Sequence, residues 1–170
     1  MGYRITIGNA EPTVPTEDDD NQPGWAVIEY SHPEAPVFPG DDMTGNTNVR
    51  SPSYTVWAEF CREAGLYDLF FGASTSTKEK STREVCLMPR HPGVALLRRS
   101  DLLEIRQARE RCAAKRWTGE RVPGWDPTMT WTDTREPDPK YDGCLARLLW
   151  LEWWVEWALT NCKTPALGNG

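Results

Sequence analysis

Histidine is scarce in this chain, and its cysteines follow no ligand pattern. The two histidines, His32 and His91, have no second histidine or cysteine at zinc-ligand spacing, and no two of the five cysteines form a CxxC pair. Glycine-rich phosphate-binding or dinucleotide-binding motifs are missing as well. The aspartates at 18–20 and 41–42 lack the alternating ligands and closing glutamate of a calcium loop. We therefore expect no metal ion, no cofactor, and thiols that stay reduced.

An excess of basic charge is also missing. The 170 residues carry 19 Lys and Arg against 25 Asp and Glu, which gives a formal charge of −6. Because nucleic-acid binders normally present a basic surface to phosphates, this balance disfavours nucleic acid as a partner. The N-terminus has no apolar run of signal-peptide length, and Arg147, Glu152 and Glu156 interrupt the most apolar segment. We expect a cytoplasmic protein, in the host cytoplasm if a phage encodes it, that does not enter a membrane.

The length and the hydrophobic content together indicate one domain with long loops. A chain of 170 residues suits a single domain, since domains run at roughly 100–200 residues. Hydrophobic residues make up 39%, and the polar excess is concentrated in stretches rich in Pro, Gly, Ser and Asp. We predict a single domain over 1–170 with long loops at about 9–24, 32–53, 73–84 and 117–141.

Two stretches near the N-terminus have the pattern of strands. Residues 3–7 alternate between apolar and polar side chains, the period of a half-buried strand, and residues 25–30 form a second apolar run. We expect these two strands to pair. The apolar runs at 86–88 and 94–97 are compatible with a strand pair or with coil anchored to the core.

Two helices are predicted in the middle of the chain from their caps and their buried stripes. The first begins after Ser51 or Ser53 and ends at Gly65, where the absence of a side chain suits the left-handed closing conformation. Ser100 is expected to cap the second. Its stripe consists of Leu102, Ile105, Ala108 and Cys112.

The strongest periodic pattern predicts a helix over 142–161. A second, adjacent apolar seam contains Trp150, Trp154 and Trp157, so this helix is apolar on most of its surface and is expected at the centre of the core. The fold class we predict is α+β: a small N-terminal antiparallel sheet packed against about three helices, with the Trp-rich C-terminal helix central. The buried stripe of that helix is Cys144, Leu148, Leu151, Val155, Ala158 and Cys162.

Candidate catalytic groups are few. Glu152 and Glu156 stand at i and i+4 on the last helix, where paired carboxylates can act as acid and base. The alternative is that they meet solvent or pair with an arginine of the helix near residues 98–116. Cys86 and His91 contain the atoms of a nucleophile and a base, but nothing in the sequence orients them.

The loop that leads into the first helix is the strongest candidate for ligand binding. Asp41, Asn46, Asn48, Arg50 and Ser53 precede a helix N-terminus, whose unpaired N–H groups and positive dipole end favour anions. Arg50 would add a bidentate donor. Ordinary helix capping by Ser, Thr and Asn is the competing explanation.

Three tryptophans fall in a proline-rich loop, away from the helices. Nine tryptophans in 170 residues is a high content, and tryptophan is enriched where proteins meet partners. Because those of the last helix are needed in the core, Trp117, Trp125 and Trp131 are the predicted partner surface.

Three stretches resemble a group of small, uncharacterised bacteriophage and prophage proteins. They are residues 38–48, 65–71 and 148–154, which read FPGDDMTGNTN, GLYDLFF and LLWLEWW. The resemblance covers most of the chain apart from the polar insert around 73–83. It implies a phage setting, and it implies neither an activity nor a site.

Two functions from different classes follow from these observations. The first is a non-catalytic binding protein, a phage accessory factor that engages a host protein or sequesters a small anionic ligand. The second is a small hydrolase or nucleotide-processing enzyme that uses Glu152 and Glu156 or the loop before the first helix. The absence of a catalytic motif does not decide between them, since convergent sites need no sequence signature.

Overall fold

A computed structural model describes the chain over residues 1–14, 24–37, 45–72, 86–116 and 143–170, with only the backbone at 114–116. It has the predicted α+β class, with one antiparallel sheet and four helices in the described segments. The predicted loops at 73–84 and 117–141 lie outside these segments, as does the middle of the loop at 32–53.

The sheet is built around two long central strands. Its order is β2-β1-β5-β4, every neighbouring pair is antiparallel, and β3 pairs with β1 beside β2. The first two strands pair as predicted, but the paired residues of β1 are Ala10–Pro12, beyond the predicted segment at 3–7. The strands are β1 (Ile5–Pro12), β2 (Trp25–Val27), β3 (Val49–Arg50), β4 (Gly93–Leu96) and β5 (Pro165–Asn169).

Three features of the sheet differ from the sequence prediction. Strand β1 extends to Pro12, inside the predicted loop at 9–24, because its second half pairs with β2. Strand β3 lies inside the predicted loop at 32–53. Strand β5, which was not predicted, is central, so the sheet is not purely N-terminal. In each case pairing with a distant strand, rather than a local pattern, creates the element.

The two faces of the sheet have different roles. Ile7, Leu167 and Ala95 lie side by side across β1, β5 and β4, and all three belong to the hydrophobic core. The neighbouring row, Thr6, Gly168 and Val94, points to the opposite face because side chains alternate along a strand. The helices cover the first face, and the second face is where the sheet curls.

Asn48 occupies the point at which β1 changes its partner from β3 to β2. Its Nδ2 donates to the backbone carbonyls of Ile7 and Ile28, both at 2.8 Å, and its Oδ1 accepts from the N–H of Tyr30 at 2.8 Å. No strand in the described segments pairs with these backbone groups, because β2 ends and β3 begins at this junction. The asparagine amide therefore takes the place of a ladder hydrogen bond at the junction.

Helix α1 (Tyr54–Glu63) follows its predicted pattern. The Ser53 hydroxyl accepts from the N–H of Val56 at 3.2 Å and caps the helix, and Gly65 closes it with φ of +70°. Helix α2 (Tyr67–Phe71) is a short turn beside it. Residues 86–88 are coil anchored to α2, because the N–H groups of Leu87 and Met88 donate to its carbonyls.

Helix α3 (Arg99–Arg116) begins two residues earlier than expected, and its cap is different. The carboxylate of Asp101, in the first turn, accepts from the backbone N–H of Arg98 at 2.8 Å, and Ser100 lies within the helix. The correction has a simple cause, since a carboxylate is as good an N-terminal acceptor as a hydroxyl and also favours the helix dipole. The predicted stripe of Leu102, Ile105, Ala108 and Cys112 is buried.

Helix α4 (Gly143–Asn161) is central, as predicted. One side packs on β1 and β5, and another packs on α3. Trp150 and Trp154 are fully buried, while Trp157 is half-buried against Tyr30. No helix in the described part of the chain is long and apolar enough to cross a membrane.

Candidate functional site

A groove of about 530 Å³ lies on the face of the sheet that the helices do not cover. Its floor includes Thr6, Gly168 and Val94, one from each of β1, β5 and β4. Strand β2 forms its wall through Trp25 and Val27. The groove is thus bordered by β2 and β4, the first and last strands of the described order.

The sheet must curl strongly to make this groove. Val27 is on β2 and Gly168 is on β5, with β1 between them in the strand order. Nevertheless, a Cβ atom on Gly168 would lie 3.0 Å from Cγ2 of Val27. Such a distance is closer than carbon atoms normally approach, so the absence of a side chain at 168 lets β2 fold over β5. The close approach explains why Thr6 and Gly168 are buried although no helix covers them.

The rim of the groove contains one ion pair and one tryptophan. Arg4 contacts the carboxylate of Glu29 through Nη2, and both side chains are 56% exposed. Trp25 is a large, mainly apolar side chain of the groove lining, and it is 55% exposed. The groove therefore offers an apolar interior with a charged, solvent-accessible entrance.

A second group of polar side chains adjoins the same end of the sheet. Nδ1 of His91 lies 3.0 Å from Oδ1 of Asn169, and Nε2 of His91 lies 2.9 Å from the Tyr54 hydroxyl. Tyr3 packs edge-on against both rings, with centroids 4.6 Å from Tyr54 and 5.1 Å from His91. Burial and the neighbouring phenols raise the pKa of Tyr3 above its ordinary value. Asn169 and Tyr54 orient His91. Cys86 lies near Gly72 instead, and no hydrogen bond joins it to His91 in the described segments.

Most of the residues predicted to bind a ligand each have a different structural role in the fold. Asn48 holds the strand junction, Ser53 caps α1, and the carbonyl of Asn46 accepts from the N–H of His32. Arg50 is fully buried, with its guanidinium 5.2 Å from the centroid of the Trp150 ring. Asp41 lies outside the described residues. A ligand-binding role for this group stays a prediction.

Glu152 and Glu156 pair with two arginines of α3. Arg109 Nε lies 2.5 Å from Oε2 of Glu152, and Arg106 contacts Glu152 at 3.2 Å and Glu156 at 2.7 Å. Hydrogen bonding to Glu156 raises the pKa of Arg106, and hydrogen bonding to Glu152 raises that of Arg109. These contacts match the alternative in which the carboxylates pair with α3, and they occupy both oxygens of Glu152 and one oxygen of Glu156.

Other predicted features are only partly within the described segments. Trp117, Trp125 and Trp131, the predicted partner surface, lie outside them. All five cysteines lie inside, and none forms a disulfide. Burial raises the pKa of the Cys61 thiol strongly, which disfavours its reactive thiolate. Among the described residues, no three His, Cys, Asp or Glu side chains are arranged to hold a metal ion.

Comparisons with known proteins add no family to this description. No protein-family model, no curated protein and no solved structure matches the chain.

No sequence motif or spacing predicted the groove or the contacts of His91 with Tyr54 and Asn169. Their members come from β1, β2, β4, β5, α1 and the residues just before β1 and β4, and they meet only through tertiary contacts. One local hint existed, since glycine within a strand marks close backbone approach, and Gly168 follows the apolar pair Ala166 and Leu167.

Proposed function

We propose that this chain is a binding protein, a phage accessory factor that sequesters a small anionic organic ligand in the groove between β2 and β4 and does not convert that ligand. The observation that carries the proposal is the groove itself. Its volume of about 530 Å³ falls in the range of roughly 300–1,000 Å³ that small-molecule sites occupy. Its lining combines apolar side chains with a few polar groups, which is the usual composition of such sites.

The chemistry of the rim supports an anionic ligand with a flat apolar body. Arg4 is the cation at the entrance, and its partner Glu29 is as exposed as Arg4 itself. An exposed ion pair contributes only about 0–1 kcal/mol, so a ligand carboxylate can replace Glu29 at little cost. Trp25 offers an exposed ring face on which a planar ligand can stack.

Two charge variants test the role of Arg4. We expect Arg4→Gln to weaken binding of an aromatic carboxylate by about 10- to 100-fold, because a charge-assisted hydrogen bond is lost. Glu29→Gln should strengthen binding by up to about fivefold, since the ligand no longer competes with the glutamate. Isothermal titration calorimetry with a panel of aromatic carboxylates measures both. Equal affinities in the two variants would contradict the proposed rim chemistry.

Two further variants test whether the groove is the binding site. Val94→Trp fills the groove from β4, and we expect it to abolish binding. Leu96→Trp is the matched control, because Leu96 lies on the same strand and the same face, is 61% exposed, and does not line the groove. Native mass spectrometry of protein purified from bacterial cells should show a co-purified mass in the Leu96→Trp variant and none in Val94→Trp. Retention of that mass by Val94→Trp would place the ligand elsewhere.

A further inference from the structure

The hydrogen-bond chain from Asn169 through His91 to Tyr54 has the order of a nucleophile, a base and an orienting group. Such an arrangement is recognised by a nucleophile within hydrogen-bonding distance of a base whose other side is held by a third residue. Both links, 2.9 Å and 3.0 Å, lie in the required range of about 2.6–3.2 Å. We propose that Tyr54 and His91 form a nucleophile–base pair that cleaves small carboxylic esters, with Asn169 as the positioning residue.

The hydrogen bonds determine the tautomer of His91. Oδ1 of Asn169 is an acceptor, so Nδ1 of His91 carries the proton and donates it. In the neutral ring Nε2 then has a lone pair, and the Tyr54 hydroxyl donates to it. The tautomer places a proton acceptor against the phenol and leaves the phenol oxygen free to attack.

Fold stability alone does not account for asparagine at position 169. The residue is 4% exposed, and its Nδ2 meets no acceptor among the described residues. A buried donor without an acceptor destabilises a fold, so an apolar side chain would be the more stable choice. The Oδ1 contact with His91 is the interaction that asparagine provides and an apolar residue does not.

A substrate can reach the pair, and the surroundings favour a neutral one. His91 is exposed, Tyr54 is half-buried, and their hydrogen bond lies in an exposed setting. Their ring and hydrogen-bonding neighbours in the described segments, Tyr3 and Asn169, are uncharged. A phosphoryl group needs cations around its charge. An acyl ester does not, so a carboxylic ester is the class that fits.

The reaction balances with water as the second substrate. The Tyr54 oxygen attacks the acyl carbon and its proton moves to Nε2 of His91; the ester C–O bond then breaks and the leaving alcohol takes that proton. Water next attacks the acyl carbon of the tyrosyl ester and gives one proton to Nε2 of His91. The Tyr54 phenolate then leaves and takes that proton back from Nε2. The products are a carboxylic acid and an alcohol, and no oxidant or reductant is required.

Acetylation by p-nitrophenyl acetate tests the pair directly, with peptide mass spectrometry to locate the acetyl group. We expect Tyr54 to be acetylated at least about 100-fold faster than Tyr67, which stacks under Arg62 and has no histidine partner in the described segments. His91→Asn should remove this advantage. His32→Asn, a change at the other histidine, should leave it intact. Equal labelling of the two tyrosines, or full labelling of Tyr54 in His91→Asn, would overturn the proposal.

Two further variants separate chemistry from folding. Tyr54→Phe removes one oxygen and keeps the ring contact with Tyr3, so we expect a folded protein that releases p-nitrophenolate at the background rate. Unchanged release would show that His91 acts alone and would refute a tyrosine nucleophile. Asn169→Asp keeps an acceptor for Nδ1 and should retain acetylation of Tyr54, whereas Asn169→Leu should lose it at an equal or higher melting temperature. Equal labelling in these two variants would eliminate the positioning role. The proposal does not require a ligand in the groove. Asn169 also lines the groove, whereas Tyr54 and His91 do not, so the Tyr54 and His91 variants test acetylation separately from ligand binding.

Discussion

Replacement of Asn48 by alanine is the most informative change to the scaffold that holds the groove. The Asn48 amide makes three hydrogen bonds of 2.8 Å, to the carbonyls of Ile7 and Ile28 and to the N–H of Tyr30. Ile28 directly follows β2, which forms the wall of the groove, and Tyr30 lies two residues further along the chain. Asn48→Ala leaves these three backbone groups without their partner at the point where β1 changes strands.

The expected cost follows from the number of bonds. One of the three bonds is buried and two are part-buried; each contributes about 1 kcal/mol, so their loss lowers the free energy of unfolding by about 3 kcal/mol. For a domain of this size 1 kcal/mol shifts the melting temperature by roughly 2–4 °C, which predicts a decrease of about 6–12 °C. Urea unfolding followed by tryptophan fluorescence measures the change, since Trp150 and Trp154 are buried in the folded chain.

Asn161→Ala is the matched control. The Asn161 side chain donates to the carbonyl of Trp157 at 2.8 Å in an exposed setting, and water can replace that bond. We expect a loss below about 0.5 kcal/mol. If Asn48→Ala cost no more than Asn161→Ala, the amide would not hold the strand junction, and the explanation of the curled sheet would be wrong.

Three further predictions concern the core and its charges. Glu152→Gln should destabilise the chain by about 1–3 kcal/mol and Glu156→Gln by less than about 1 kcal/mol in urea unfolding, because the Glu152 side chain is 16% exposed and that of Glu156 is 55% exposed. Burial raises the pKa of Cys61, so the thiol loses its proton at lower pH in the unfolded chain than in the folded one. The free energy of unfolding should therefore be constant below the unfolded thiol's pKa of about 8.5 and fall as pH rises above it. Cys61→Ala should flatten that fall in unfolding experiments from about pH 7 to 10. Trp154→Ala should cost about 3–5 kcal/mol by the same assay, because the ring is fully buried, and a loss below about 1 kcal/mol would contradict the central position of α4.

The parts of the fold that local periodicity determines could be predicted from the sequence. The stripes of α3 and α4 repeat every three or four residues, and they are buried as expected except for Cys162, which is half-buried and follows the end of α4. The end of α1 was equally accessible, because Gly65 supplies a conformation that other residues adopt with difficulty. Each of these signals lies within one element, so no knowledge of tertiary contacts was needed.

The parts that depend on distant pairing could not be predicted in the same way. Strand β5 has the sequence PALGN, which is short and has no alternation, and it becomes central because β1 and β4 pair with its two sides. His91 is 37 residues from Tyr54 and 78 from Asn169, so no spacing in the sequence indicates their contact. Asn48 looked like a ligand or capping residue because its polar side chain precedes a helix. Its actual partners are 18, 20 and 41 residues away.

Backbone NMR of the ¹⁵N-labelled chain during titration with an aromatic carboxylate tests the central claim most directly, because it distinguishes the two proposed ligand sites in one experiment. We predict that the amide signals of Thr6, Val27 and Gly168 shift with a common saturation curve, and that Val94→Trp abolishes the shifts while Leu96→Trp does not. Shifts confined to residues 46–54 would contradict binding in the groove and would instead support the loop before α1.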